Sequence, residues 1–295
     1  MEKPPKAIKL GVAYAYKGNN SEAIEAYLQA LEKNPNHVPA IGNLANRYRD
    51  QGKLVEAIRM YQRYLDLRPI SEVAYHNLGH TYRLLGLYEQ AKYSYHTAIK
   101  LNPEYQFAYG NLALNYLYQG DTERATEYLD KLMQVDSNRL GSLVGAATLA
   151  LVYDPERAQD YVERIISVPN YDPRVDVSVP VIQGYLLMAR NDSTQAKAVL
   201  SEQRAIMEEA IAEGNENAGA RLRVAEIYGL LGDQDNCILW LEKAEEAGYL
   251  NYKWLELYPL YNNVREDPRF QAILQRMKDK VVPMREQVLA MELKG

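Results

Sequence analysis

Residues 75–103 are YHNLGHTYRLLGLYEQAKYSYHTAIKLNP, and the pattern of this stretch recurs along the chain every 34 residues. A glycine occupies one position four times without a break, and alanine, tyrosine and proline recur at other fixed positions. A period of roughly 20 to 50 residues indicates a stack of supersecondary units, none of which buries its apolar face alone. The recurring residues are Gly18, Gly52, Gly86 and Gly120; Ala23, Ala57, Ala91 and Ala125; Tyr14, Tyr48, Tyr82 and Tyr116; Tyr27, Tyr61 and Tyr95; and Pro35, Pro69 and Pro103.

Each unit is predicted to contain two helices. Leu78 and Tyr82 belong to one apolar stripe at helical spacing. Gly86 then ends the first helix, because glycine adopts the left-handed conformation at no steric cost. A second stripe stops at Asn102-Pro103, since proline cannot continue the hydrogen-bond ladder of a helix. The unit is therefore a helical hairpin.

The order Leu-Gly-x-x-Tyr, Ala-x-x-x-Tyr and Pro resembles the tetratricopeptide repeat (TPR), and the resemblance covers residues 4–137. Two units depart from it mildly. The second has Ala45 where the family prefers glycine, and the fourth has Leu129 for the aromatic residue and lacks the closing proline. The resemblance implies an all-α, right-handed superhelix of about seven hairpins that holds other proteins. The matching residues include Leu10, Gly11, Tyr14, Ala23, Tyr27 and Pro35, and Leu78, Gly79, Tyr82, Ala91, Tyr95 and Pro103.

The register loosens beyond the fourth unit. We expect four regular units in residues 1–137, three degenerate units in 138–248 and a helical cap in 249–295, all in one continuous solenoid. Asp154-Pro155 predicts a helix start within a hairpin at 138–167. Three prolines predict a loop at 168–180, and a helix through Leu200 is expected to reach about Ala212. A clearer unit returns around Tyr228, where Cys237 takes a small-residue position.

The last segment resembles the tails that close TPR modules of bacterial signalling proteins, among them adenylate cyclases, serine/threonine kinases and winged-helix regulators. The resemblance runs from Trp254 through Asp267-Pro268-Arg269-Phe270 to Met277. Asp267 is predicted to cap a helix that Pro268 starts. Its apolar face, formed by Phe270, Ile273, Leu274 and Met277, is expected to shield the last hairpin, because a solenoid needs its terminal face covered.

Composition narrows the functional classes. The chain has 295 residues and a net charge of −5, and the absence of long Lys/Arg runs argues against nucleic-acid partners. The sequence has no apolar run long enough to span a membrane, and no signal peptide is expected because the first six residues contain no apolar stretch. A single cysteine fits a reducing compartment, so a cytoplasmic location is expected.

The sequence contains no catalytic motif, so no enzymatic activity and no cofactor are expected. His76 and His80 are four residues apart on a predicted helix and could supply two metal ligands. Because no third ligand is evident, the interpretation favoured here is that both line a polar groove and that no metal binds.

The first helix of each hairpin is expected to line the concave side. Asn43, Asn77 and Asn111 keep the 34-residue spacing, and we call them the amide ladder. An amide can pair with both the C=O and the N–H of a bound peptide; alternatively, it bonds only to a neighbouring helix. Arg49 and Arg83 add a positive spot suited to a carboxylate. The full set of predicted groove residues is Asn43, Asn46, Arg49, His76, Asn77, His80, Arg83 and Asn111, with Leu114 and Leu117 beside them.

Most of the 25 tyrosines are expected in the core, with Tyr16 and Tyr118 as candidates for the groove instead. The leading function is a non-enzymatic scaffold for a peptide or protein segment. The second hypothesis is a sensory or regulatory module separated from the effector domain of a bacterial signalling protein. A third is an enzyme, which an unexplained buried acid/base pair would support. The sequence names neither the ligand nor the oligomeric state.

Overall fold

The computed structural model describes residues 6–135, 137, 139–168, 172 and 178–292. Within these residues the regular elements are helices, and the first fourteen pair into seven successive hairpins. The helices are α1 (Lys6–Tyr16), α2 (Asn20–Lys33), α3 (Val38–Asp50), α4 (Leu54–Leu67), α5 (Glu72–Leu84), α6 (Tyr88–Leu101), α7 (Gln106–Tyr118), α8 (Thr122–Val135), α9 (Leu140–Tyr153), α10 (Pro155–Ile166), α11 (Ser178–Ala189), α12 (Ser193–Ala212), α13 (Ala218–Leu230), α14 (Gln234–Glu246), α15 (Tyr252–Leu257) and α16 (Pro268–Glu292), with a 3₁₀ turn at Pro259–Tyr261. The predicted all-α solenoid of hairpins is confirmed.

The recurring glycines and tyrosines have distinct roles in the hairpins. The four periodic glycines each follow the first helix of a hairpin with φ between 72° and 79°, a conformation that side chains with a Cβ rarely adopt. A Cβ added at Gly79 would lie 2.9 Å from the ring of Tyr95 and 3.1 Å from the carbonyl oxygen of Ala91. Glycine at this position therefore allows the two helices to approach closely, and Tyr95 is completely buried beneath it.

The degenerate units also form hairpins. Asp154 accepts a hydrogen bond from the backbone N–H of Arg157 at 3.1 Å, and Pro155 is the first residue of α10, as predicted. Helix α12 ends at Ala212, also as predicted. Helix α11 already starts at Ser178, so Pro180 is helical and the prediction that the loop reaches it is wrong. Most of the remainder of that predicted loop, 169–171 and 173–177, lies outside the described residues.

The hairpins form two layers. The odd-numbered helices α1 to α13 contact one another across successive hairpins, whereas the even-numbered helices α2 to α14 pack mainly on the odd-numbered ones. Shorter spacing between the odd-numbered helices means that they lie on the inside of the curve. We call them the inner layer and the even-numbered helices the outer layer.

The C-terminal helices cover the last hairpin. Asp267 accepts a hydrogen bond from the backbone N–H of Arg269 at 2.8 Å, at the start of α16. The predicted apolar face of α16 is buried, and the helix packs on α14 and α15. Residues Phe270, Ile273, Leu274 and Met277 form this face and are at most 3% exposed.

The two halves of the solenoid meet along one edge, which we call the seam. The carboxylate of Glu216 accepts hydrogen bonds from the backbone N–H and the hydroxyl of Ser21, at 3.0 and 3.1 Å. The turn at Gly248 lies against the turn at Gly52. A Cβ added at Gly52 would be 2.8 Å from the carbonyl oxygen of Gly248. These contacts were not predicted from the sequence.

Helix α16 extends the seam. Beyond its capping face it continues back to α4 in the second hairpin. Arg285 donates from Nε to the carbonyl oxygen of Leu85 at 2.5 Å, and Val281 and Val288 are buried. The C-terminal helix therefore both caps the last hairpin and closes the superhelix onto its own beginning.

Candidate functional site

The predicted groove residues lie on three consecutive helices of the inner layer, α3, α5 and α7. The structure places them on one surface, and most of them join a single hydrogen-bonded network. Asn43, Asn46 and Arg49 lie on α3, His76, Asn77, His80 and Arg83 on α5, and Asn111 on α7. Leu114 and Leu117 also lie on α7, and Leu117 is buried.

An arginine of one hairpin holds the ladder amide of the next. Arg49 donates from Nη1 to Oδ1 of Asn77 at 3.3 Å, and Arg83 donates from Nη2 to Oδ1 of Asn111 at 3.3 Å. The two bonds are related by the 34-residue period. The alternative considered from the sequence, an amide bonded to a neighbouring helix, is thus observed for Asn77 and Asn111.

Asn43 differs because the first repeat breaks this pattern. Ala15 stands one period before Arg49, so α1 offers no guanidinium to Asn43. The side chain of Asn43 instead bonds to the hydroxyl of Tyr27, whose pKa is raised mainly by burial. Asn43 is therefore the ladder amide without an arginine partner among the described residues.

Core tyrosines extend their hydroxyls into the same network. Tyr61 receives a bond from Arg49 at 3.3 Å and donates to Oδ1 of Asn46 at 2.6 Å. Tyr95 receives one from Arg83 at 3.4 Å. Burial raises the pKa of Tyr61 to about 12, against the opposing effect of the Arg49 charge. The phenols consequently stay protonated and act as hydrogen-bonding groups.

His76 is a neutral member of the network, and His80 lies four residues further along α5. Nε2 of His76 lies 2.9 Å from Nδ2 of Asn111, and Nδ1 lies 3.4 Å from the hydroxyl of Tyr105. Burial, followed by the charges of Arg49 and Arg83, lowers the pKa of His76 to about 3. The pKa of His80 is lowered well below its usual value, chiefly by burial as well. Among the described residues, no group of three His, Cys, Asp or Glu side chains converges as a metal site would require.

The two arginines differ in charge compensation. Arg49 forms an ion pair with Asp50 at 3.1 Å. Arg83 is only 3% exposed, and its hydrogen-bond partners Tyr95 and Asn111 in the described chain are neutral. Its guanidinium lies 5.0 Å from the ring centroid of Tyr118, and Nη1 has no hydrogen-bond partner there. The prediction of a positive spot on this face is therefore wrong for Arg83, because its guanidinium is buried beneath the surface where a ligand carboxylate would lie.

A segment of the C-terminal half crosses the inner layer. This crossing segment, Gly248–Trp254, contacts α7, where the hydroxyl of Tyr118 donates to Oδ1 of Asn251 at 2.9 Å. Tyr118 is buried by these contacts, whereas Tyr16 projects into solvent. The crossing segment leaves the N-terminal halves of α3, α5 and α7 open, and Val73 and Phe107 are 46% and 45% exposed on this open face.

Two cavities adjoin the open face. The first, of about 220 Å³, lies between the second and third hairpins and is lined by Asn43, Asn46, Val73 and Asn77. The second, which we call the anchor cavity, measures about 370 Å³. This cavity was not predicted from the sequence, although the glycines Gly141 and Gly145 in α9 could have indicated it. Its lining includes Gln106, Phe107, Gly110, Asn111, Leu114, Leu132, Gly141, Ser142, Gly145, Leu149, Gly219, Leu222, Arg223, Tyr249, Asn251 and Trp254.

A buried carboxylate lies behind the anchor cavity, and its contacts explain it. Glu226 is completely buried, forms an ion pair with Arg223 at 2.5 Å and accepts a hydrogen bond from Tyr261 at 3.2 Å. A charge taken out of water requires such compensation. Because the group is saturated and inaccessible, it does not support the enzyme hypothesis.

Three stretches of the chain, residues 8–71, 73–105 and 108–139, match models of the tetratricopeptide repeat. Repeats of this kind are therefore confirmed for the first four hairpins, and repeats of this type serve as protein-interaction scaffolds. No curated protein matches the chain. Among the described residues, no helix is both long and apolar enough to cross a membrane.

Solved structures with TM-scores above 0.5 show the same fold. A thermophilic TPR protein from Thermus thermophilus is 20% identical with a TM-score of 0.54, over 62% of this chain and 97% of that one. A chain of the APC/C hetero-tetramer Cut9–Hcn1 is 14% identical with a TM-score of 0.57, over 90% of this chain and 48% of that one. A MamA structure is 26% identical with a TM-score of 0.43, over 52% of this chain and 91% of that one.

Proposed function

We propose that this chain is a non-enzymatic scaffold that binds an extended segment of a partner protein along the open face of α3, α5 and α7. The observation that carries the proposal is the cavity between the second and third hairpins. It places Asn43 and Asn77 beside the exposed apolar side chain of Val73. A concave, partly apolar surface with a few convergent polar groups is typical of ligand sites.

The spacing of the amide ladder fits a bound strand. Neighbouring helices pack about 8–10 Å apart, and an extended chain advances about 3.3 Å per residue. The spacing of the ladder therefore matches roughly every third residue of an extended ligand, although Arg49 and Arg83 already hold the amide oxygens of Asn77 and Asn111. Asn43, which bonds to no arginine, is the first member of the ladder that a ligand backbone would engage.

The signalling role and the cytoplasmic location stay predictions from the sequence. The family matches concern the repeats in residues 8–139 and carry no information on an effector domain. The scaffold function accounts for the described open face without either assumption.

The test uses a peptide selected from a random library of displayed 12-residue peptides, with its affinity measured by calorimetry. Replacing Asn43 by alanine should weaken binding by about 1–3 kcal/mol, because a desolvated backbone group of the ligand loses its partner. The matched control is Gln29→Ala, an exposed amide on α2 of the outer layer, which should leave the affinity unchanged. Failure to select any peptide, or equal affinities of wild type and Asn43→Ala, would refute the proposal.

A further inference from the structure

The anchor cavity lies between α7, α9, α13 and the crossing segment, directly beside the open face. Phe107 and Asn111 border both. Its volume of about 370 Å³ is more than twice that of an engineered apolar cavity, about 150 Å³, that binds benzene. The cavity therefore has room for a substituted aromatic ring.

Two glycines keep this space open. Gly141 and Gly145 lie one turn apart on α9 and line the cavity, and a Cβ added at either would meet no atom within 4 Å. Neither has a positive φ, so backbone conformation does not require glycine here. Glycine weakens a helix relative to alanine. The helix thus forgoes stability where a side chain would occupy the cavity.

A buried hydroxyl in the wall lacks a partner. Ser142 is 2% exposed, and its Oγ has no hydrogen bond within the described part of the chain. A buried hydroxyl left unpaired is unfavourable, and a ligand that supplies a polar atom removes the penalty. Ser142 lines the anchor cavity between the two glycines.

The rest of the lining is largely apolar and partly aromatic. Leu114, Leu149 and Leu222 provide aliphatic surface, and Trp254 provides a ring against which another ring can pack. We propose that the anchor cavity takes a phenol ring, supplied by a tyrosine side chain of the bound partner segment, with its hydroxyl bonded to Oγ of Ser142. This inference rests on the proposed function for the source of the tyrosine.

The probe for the cavity is p-cresol, the isolated side chain of tyrosine, compared with toluene, which lacks the hydroxyl. We expect p-cresol to raise the melting temperature of the wild type and to bind about tenfold more tightly than toluene. Ser142→Ala should abolish this difference between the two compounds. Binding can be followed by NMR or by the fluorescence of Trp254 in a Trp240→Phe background.

Gly145→Leu tests the location. Leucine should fill the cavity and abolish binding of both compounds, while the ligand-free protein stays at least as stable, since leucine favours a helix over glycine. The matched control, Gly145→Ala, should retain binding. If p-cresol fails to bind the wild type, binds no better than toluene or still binds Gly145→Leu, the inference is wrong.

The two proposals fail separately. If selected peptides bind in a way that depends on Asn43 but p-cresol does not bind, only the proposal of a phenol site in the anchor cavity is wrong. Binding of p-cresol without any selected peptide would support a phenol site and overturn the tyrosine of a bound segment as its source.

Discussion

At the scale of single residues, one repeat position has three different environments. Within the described residues, Asn111 bonds to a buried arginine without a counter-charge, Asn77 to an arginine paired with Asp50, and Asn43 to a tyrosine. The period fixes where each amide lies, but its partner depends on the residue one repeat earlier. Equivalent positions are therefore expected to differ in their effect on stability and on binding.

We expect Asn111→Ala to lower the free energy of unfolding by about 1–3 kcal/mol, because the buried guanidinium of Arg83 loses an acceptor. Asn43→Ala, which affects no arginine, should lower it by less than about 1 kcal/mol. Urea unfolding monitored by circular dichroism measures both. Equal losses in the two variants would show that Arg83 does not depend on Asn111.

The lowered pKa values of His76 and His80 predict that stability depends on pH. The pKa of His76 is about 3 in the folded chain against 6.5 when unperturbed, and that of His80 is lowered as well. The unfolded chain therefore binds protons first, so stability is complete above pH 6.5 and falls as the pH drops from 6.5 towards 3. The fall is at most about 1.4 kcal/mol per pH unit for each imidazole.

The variant His76→Gln/His80→Gln should flatten this dependence between pH 6.5 and 5, where few carboxylates titrate. His96→Gln on the outer layer is the comparison: burial, then the charges of Lys92 and Lys131, also lowers the pKa of His96, so its loss should remove part of the slope and the double variant should remove more. If the slope of stability against pH is unchanged in the double variant, both imidazoles bind protons in the folded protein as readily as in the unfolded chain.

At the scale of elements, α16 has two functions in one helix. Its first part buries Phe270 and Met277 against the last hairpin, and its second part packs on α4 of the second hairpin and bonds through Arg285 to Leu85 of the third. Only the first part follows from the apolar spacing in the sequence. The second depends on where the superhelix places the helix after a full set of hairpins.

We expect a chain that ends at Gly248 to associate, because it exposes the apolar face of α14. A chain that ends at Lys280 keeps the buried face of α16 and should stay monodisperse, although it lacks the seam contacts of Arg285. Light scattering compares the two. If both truncated chains stay monodisperse, or if both associate, the first part of α16 is not what caps the last hairpin.

At the scale of the molecule, the interfaces along the solenoid are unequal. Helices α10 and α11 pack on each other less extensively than the helices that join the first four hairpins. Repeat arrays open in segments, since their stability combines units with nearest-neighbour interfaces. The boundary at α10 and α11 is thus among the least extensively packed of the described junctions between successive hairpins.

We expect amides in 138–215 to exchange faster than those of the second and third hairpins, and we expect this region to act as the hinge if the superhelix changes pitch on binding. Hydrogen-exchange mass spectrometry on the full chain measures this. Uniform protection from residue 6 to residue 248 would show that the degenerate hairpins pack as firmly as the regular ones, and would exclude the hinge.

The sequence was sufficient for the hairpins because their determinants are local. Gly86 and Asp154-Pro155 mark ends and starts of helices within a few residues, and the period places Asn77 and Arg83 on one face. The crossing segment and the anchor cavity were not predicted. They depend on contacts such as that between Tyr118 and Asn251, 133 residues apart, and no local pattern encodes the pitch of a superhelix.

The seam has a consequence for folding kinetics. It joins residues about 200 positions apart, as in Leu85 with Arg285, whereas each hairpin needs only neighbouring contacts, which form fastest. Closing a loop of that length in a disordered chain would cost about 5 kcal/mol of entropy, but stacked hairpins already hold its ends in place. The seam should therefore form after the rate-limiting step, so that Arg285→Ala accelerates unfolding and leaves the refolding rate unchanged.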